Sequence, residues 1–153
     1  MSDQAYRGGG YPPRPSGSSA ILLGIPLTLI PILLYILIRI VGSVSDWAAP
    51  IVTIATPSGG QLGLGMGDLI VLLALVMLFL EVLKSTRTST GSIVDHMVST
   101  LVFVGALIML LLVPFAGTST FLILVAITLF DVVAGFSVTI RSARRDIGIG
   151  SPN

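Results

Sequence analysis

No cysteine occurs among the 153 residues, so disulfides, thiolate catalysis and Cys-ligated zinc or iron–sulfur centres are excluded, and cysteine usage says nothing of the redox compartment. Charge is scarce too: 10% of the residues are Asp, Glu, Lys or Arg, against about 25% in an average soluble domain. Eight basic and seven acidic side chains leave a formal net charge of +1. That is too little for phosphate-backbone binding, which needs clustered Lys and Arg, so nucleic acid is not expected as a partner. The chain has a single histidine, His96, and zinc wants three or four N, S or O ligands, so neither a metal nor another cofactor is expected. What is plentiful is apolar. Hydrophobic residues make up 54% of the chain and the mean hydropathy is +1.03. Such a chain lacks the polar surface to coat a globule in water and is expected in a bilayer.

Residues 1–19 are rich in Gly, Pro and Ser and, after the initiator Met, hold no aliphatic side chain larger than Ala5. They cannot bury enough apolar surface to offset their ordering entropy and read as a disordered tail. The Tyr11–Pro15 stretch suits polyproline II, though a solvated spacer is the simpler reading. From Ala20 to Ile38 no charge interrupts the chain; as a helix this run is about 28 Å long, which matches the hydrocarbon thickness. The first span is therefore placed at about 20–41, with Pro26 and Pro31 inside it and a kink expected near Pro31. Its apolar core is longer than that of a cleaved signal peptide, and Arg39 intervenes before any small-residue cleavage pattern.

The pattern then changes. Ile51–Thr56 is β-branched, Pro57-Ser58-Gly59-Gly60 is turn chemistry, and Gln61–Met66 alternates apolar with small residues. A β-hairpin at about 51–66 follows, lying against the membrane surface, with Trp47 before it in the interfacial aromatic belt. Further spans are placed at about 65–83, 93–113 and 120–140. The third opens on Ser92-Ile93-Val94-Asp95, which has the form of a capping box, and stops at Pro114; Gly117–Thr120 caps the entry to the fourth. So short a loop makes the last two helices antiparallel neighbours. The expected fold is all-α and membrane-embedded: a four-transmembrane-helix bundle over 20–140, with a short extracytoplasmic hairpin between helices 1 and 2, followed by a basic tail over 141–153. With the N-terminus in the cytoplasm, Arg7, Arg14, Lys84, Arg87, Arg141, Arg144 and Arg145 all lie inside, and only Arg39 breaks the positive-inside rule. Both termini are accordingly expected in the cytoplasm.

The turn Pro57–Gly60 followed by Gly65-Met66-Gly67-Asp68, the Ile93–His96 opening of the third span and the Phe130–Phe136 stretch of the fourth resemble an uncharacterised family of small bacterial four-span inner-membrane proteins. The resemblance covers roughly residues 20 to 146. It implies a bacterial inner (cytoplasmic) membrane location and carries no assigned activity.

Asp131 stands near the middle of the fourth span, where a carboxylate costs on the order of 3 kcal/mol on insertion scales. It must face the bundle or a water-filled crevice. Thr128, Asp131, Gly135 and Thr139 recur at spacings of three and four and share one polar, small-residue stripe. Thr28 on the first span, and Ser99 or Thr100 on the third, come to comparable depth and are candidate hydrogen-bond partners. Two readings stay open for this group: interhelical glue, or an ion-coupling site. A second group, Glu81, Lys84, Arg87, Asp95 and His96, is expected to converge at the cytoplasmic edge, with Glu81 pairing Lys84 three residues on. Asp68 suits the positive end of the second span's helix. A Ser-His-Asp arrangement from Ser92 or Ser99 would need neighbours on one helix to reach a geometry they do not usually attain. The Gly-rich run 59–67 lacks the Lys-Ser or Lys-Thr of a phosphate loop. No enzymatic activity is expected. The sequence points to a non-catalytic scaffold or accessory subunit whose partners are the lipid bilayer and other membrane subunits or further copies of itself. A proton- or cation-coupled small transporter or channel using Asp131 is the alternative.

Overall fold

Two prolines decide where the first helix begins. Pro26 lies in a turn in which the amides of Leu29 and Ile30 bond to the carbonyls of Pro26 and Leu27, both at 3.1 Å, and helix α1 then runs over Leu29–Val41. Pro31 stands in its first turn, where a missing N–H leaves no helical bond broken. It therefore opens the helix, in place of the kink expected within a longer one. At the far end Gly42 takes the left-handed conformation, φ +75°, and its N–H closes on the Ile38 carbonyl at 3.2 Å. The 13 residues of α1 amount to about 20 Å, less than the hydrocarbon thickness.

The computed structural model describes residues 25–42, 44, 46–85 and 91–147, without the side chains of 91–94, 139 and 141–147. The N-terminal tail, the first residues of the expected span, Arg87 and the last six residues lie outside the described residues. So do the side chains of Ser92, Thr139, Arg141, Arg144 and Arg145.

After α1 come strands β1, Pro50–Ala55, and β2, Gln61–Gly65, paired antiparallel with Val52 opposite Leu64, Thr53 opposite Gly63, Ile54 opposite Leu62 and Ala55 opposite Gln61. The turn between them places Pro57 at its second position and Gly59 at φ +84°, with the Gly59 amide on the Thr56 carbonyl at 2.9 Å. Only the base of the hairpin touches the bundle. β1 is exposed along its whole length, whereas Gly65 is buried. β2 runs without a linker into helix α2, Met66–Ser85, whose first-turn Asp68 accepts the Gly65 amide at 2.8 Å; this is the acidic half of a capping box.

Helix α3, Gly91–Leu112, ends before a short 3₁₀ turn over Pro114–Ala116, and helix α4, Ser119–Ile147, follows at once. Thr118 caps α4 by accepting the Phe121 amide on its hydroxyl at 3.1 Å. The loop joins α3 and α4 at one end, and at the other His96 of α3 lies against Gly135 and Phe136 of α4, so the two are antiparallel. Gly67 at the start of α2 sits directly on Thr120 at the start of α4, which makes those two parallel. α4 is the hub: Phe121, Leu124, Val125, Ile127, Thr128, Asp131 and Val132 are all buried against its neighbours.

At the hairpin end, Tyr35 of α1 is wholly enclosed, stacked on Trp47 with ring centroids 4.5 Å apart and tilted against Phe121 at 4.9 Å. Its hydroxyl donates to the Phe115 carbonyl at 3.0 Å and lies 2.8 Å from the Thr118 hydroxyl. Trp47 thus turns inward, with the Arg39 guanidinium 5.9 Å from its ring centroid.

The outside of the bundle is apolar. Leu33, Leu37, Leu72, Val76, Phe79, Leu101, Leu111 and Phe130 are among many large side chains left uncovered. Three helical stretches, Met66–Ser85, Asp95–Leu112 and Ser119–Val138, are long and apolar enough to cross a membrane, with mean hydropathies of 2.5, 2.0 and 2.4. The described fold is thus mostly helical, four helices with one small two-stranded sheet.

Candidate functional site

The polar side chains inside this apolar body gather away from the hairpin, around the turn that precedes α1. Leu27 lies in that turn, and its amide donates to Glu81 Oε2 on α2 at 2.9 Å. A carboxylate from one helix thereby satisfies the start of another, where the unpaired amides and the helix dipole favour negative charge. Next to it, the Thr28 hydroxyl donates to Asp131 Oδ2 on α4 at 2.9 Å, a fully buried bond. Both acids are 5% exposed.

Lys84, one turn beyond Glu81, makes three contacts. It lies 3.1 Å from Glu81 Oε1, 3.6 Å from Asp95 Oδ2 on α3, and 3.5 Å from the Ile25 carbonyl. One ammonium thus bridges two carboxylates and caps a backbone oxygen ahead of α1. The expected Glu81–Lys84 pair is present, with Glu81 enclosed by the bundle.

Thr28 is the one residue hydrogen-bonded to Asp131 among the described residues, with Ser99 of α3 nearby. The His96 ring is buried on Gly135, where a Cβ would overlap it, and stands 6.1 Å from the Phe136 ring centroid. Of the partners expected for Asp131, Thr28 reaches it in a hydrogen bond and Ser99 stands nearby. Thr100 and Thr128 do not: their hydroxyls bond back to the carbonyls of His96 and Val125, each at 2.8 Å. Serine and threonine within helices often make such bonds.

The two groups that the sequence presents separately are therefore one tract. It runs from the half-buried Lys84–Asp95 pair through Glu81 and the turn at 25–28 to Asp131, Ser99 and His96. The Leu27 amide was invisible in the sequence, since nothing in a leucine announces a freed N–H. Pro26 was its signal, because a proline at that position stops the helix from taking up the amides around it. Gly135 carried a signal too, standing one turn beyond Asp131 on the same stripe, but its occupant could not be read.

Chemically the tract can hold protons and bind helices together. Among the described residues no group of three His, Cys, Asp or Glu side chains is arranged to hold a metal ion. A scan against protein-family models and searches of curated proteins and of solved structures found no match.

Proposed function

We propose that this chain is a non-catalytic integral protein of the bacterial inner membrane that crosses the bilayer four times and serves as a small scaffold or accessory subunit. The carrying observation is the state of Asp131. Its carboxyl is almost wholly enclosed and accepts the Thr28 hydroxyl from the turn ahead of α1, as expected of polar glue between helices. Lys84, meanwhile, is shared between Glu81 and Asp95. These groups are spent on one another, which fixes the helices in register and leaves the apolar exterior for lipid and for other subunits. α1, at 13 residues, is the shortest of the four described helices. The distribution of Lys and Arg supports cytoplasmic termini and an outward hairpin, in keeping with the family resemblance carried by the hairpin turn and the Phe130–Phe136 stretch.

A second reading has one observation of its own. Glu81 and Asp131 hold the adjacent residues Leu27 and Thr28, and Glu81 leads through Lys84 to the partly exposed Asp95, so ionisable groups follow one another from the edge of the bundle toward its interior. A proton- or cation-coupled carrier would use such a series. Asp131→Asn keeps a hydrogen-bonding side chain and removes titration, so liposomes loaded with a pH-sensitive dye separate the readings. The scaffold predicts no proton or cation flux from wild type or variant, and native mass spectrometry of gently extracted membranes should show a stoichiometric complex. A wild-type flux abolished by Asp131→Asn would overturn it.

A further inference from the structure

The hairpin is a surface of its own, because the bundle covers neither of its faces: β1 is exposed from Pro50 to Ala55 and β2 from Gln61 to Gly63. Cross-strand partners share a face, and the register sorts the side chains by chemistry. Val52 opposite Leu64 and Ile54 opposite Leu62 lie on one face, and Thr53 opposite Gly63 and Ala55 opposite Gln61 on the other. One face is therefore wholly apolar, with Val52, Ile54 and Leu62 between 44% and 49% exposed, and the other is small and polar. No charged residue stands anywhere from Trp47 to Gly67, whereas strands with an edge in water are commonly guarded by charge. Two strands alone are marginal in water, so the apolar face needs a cover.

Area and hydrogen bonding decide between the covers available. A second copy packed face to face would meet four side chains, on the order of 300 Å², well short of the 800 Å² or so per partner of a stable interface. The hydrocarbon interior is excluded by the backbone: each strand pairs along one edge only, and the amides and carbonyls of the outer edges would go unsatisfied there. The layer where acyl chains meet hydrated headgroups accepts an apolar face below and supplies water to the edges. We propose that the hairpin lies flat in that layer as a membrane-surface anchor, with Val52, Ile54, Leu62 and Leu64 on the acyl chains and Thr53, Ala55, Gln61 and Gly63 turned to water. With no Lys or Arg in the hairpin to attract anionic headgroups, its partner is the apolar part of the lipid, whatever charge the headgroup carries. β2 runs into α2 without a linker, which sets the hairpin down where α2 begins, so the proposal rests on the reading of α2 as a membrane span.

The chain has no cysteine, so single spin-labelled cysteines report without background. Ile54→Cys and Leu62→Cys place the label on the apolar face, and Thr53→Cys and Gln61→Cys on the other; all four positions are exposed, so no label displaces a buried side chain. Phe79→Cys, at a position 62% exposed on α2, is the control for the span. Full-length protein is reconstituted in phosphatidylcholine vesicles with and without phosphatidylglycerol, and collision of each label with oxygen, which concentrates in lipid, is compared with collision with a water-soluble nickel chelate. The ratio of oxygen to nickel access is expected to be severalfold higher at Ile54 and Leu62 than at Thr53 and Gln61, and the same in both vesicles and at low and high salt. Equal ratios on the two faces would overturn the proposal. So would a contrast that needs the anionic lipid, and so would dipolar broadening between labels at Ile54 or at Leu62, which puts a second copy on the face. A lipid signal at Phe79 with a water signal at Ile54 and Leu62 would leave the span standing and take the hairpin out of the membrane, whereas nickel access at Phe79 would overturn the span and the proposal with it.

Discussion

Thr28 contributes one hydroxyl, and Asp131 depends on it. Thr28→Val preserves the shape and leaves a buried carboxyl short of a donor, a change that costs about 1–3 kcal/mol. Reversible unfolding in mixed micelles should register that loss, while Thr128→Val, whose hydroxyl only bonds back to Val125, should register much less. Gly135 poses the complementary test of space. A methyl there overlaps the buried His96 ring, whereas Gly105 on α3 has nothing within 4 Å of where a Cβ would go. Gly135→Ala should therefore destabilise by about 1–3 kcal/mol through overpacking, and Gly105→Ala should be neutral or mildly stabilising through helix propensity; thermal unfolding of the two variants side by side checks both. At this scale the sequence was informative about expense and silent about recipients. A carboxyl amid Leu129, Phe130, Val132 and Val133 is costly wherever it points, so Asp131 stood out. That Thr28 and not Thr128 would serve it depends on helix rotation, which no single segment encodes.

Elements were legible in proportion to how locally they are stabilised. The hairpin followed from β-branched residues flanking Pro57–Gly60, the end of α3 from the Pro114 stop, and the start of α4 from Thr118; all of these signals lie within a few residues of the structure they produce. α1 is different. Pro26 and Pro31 mark its start at Leu29, but the group that satisfies the freed Leu27 amide is Glu81, 54 positions along the chain. The far end of α1 can be tested separately. Gly42 closes the helix at φ +75°, and Gly42→Ala should cost about 1–2 kcal/mol for the left-handed backbone, although a methyl there meets nothing within 4 Å. Tyr35→Phe should cost a similar amount, about 1–2 kcal/mol, by orphaning the Phe115 carbonyl and leaving the Thr118 hydroxyl only the Phe121 amide. Heat-induced loss of helical signal measures each.

Across the whole molecule, a few polar contacts reach all four helices: Leu27 and Thr28 ahead of α1, Glu81 and Lys84 on α2, Asp95 and Ser99 on α3, and Asp131 on α4. Lys84 is the shared member. Lys84→Met should leave Glu81 and Asp95 facing one another without a cation and destabilise the fold, and adding Glu81→Gln should recover part of the loss, which a double-mutant cycle in detergent reads directly. Nothing in the sequence joined this tract, because its members come from segments whose mutual depth is set by packing. The turn before α1 also imposes an order of events. Its two ties are to residues 54 and 103 positions further on, so during synthesis the earliest apolar segment emerges with its amide and hydroxyl unanswered. Only when α4 has formed can both be satisfied, so this turn docks after the helices that follow it in the chain.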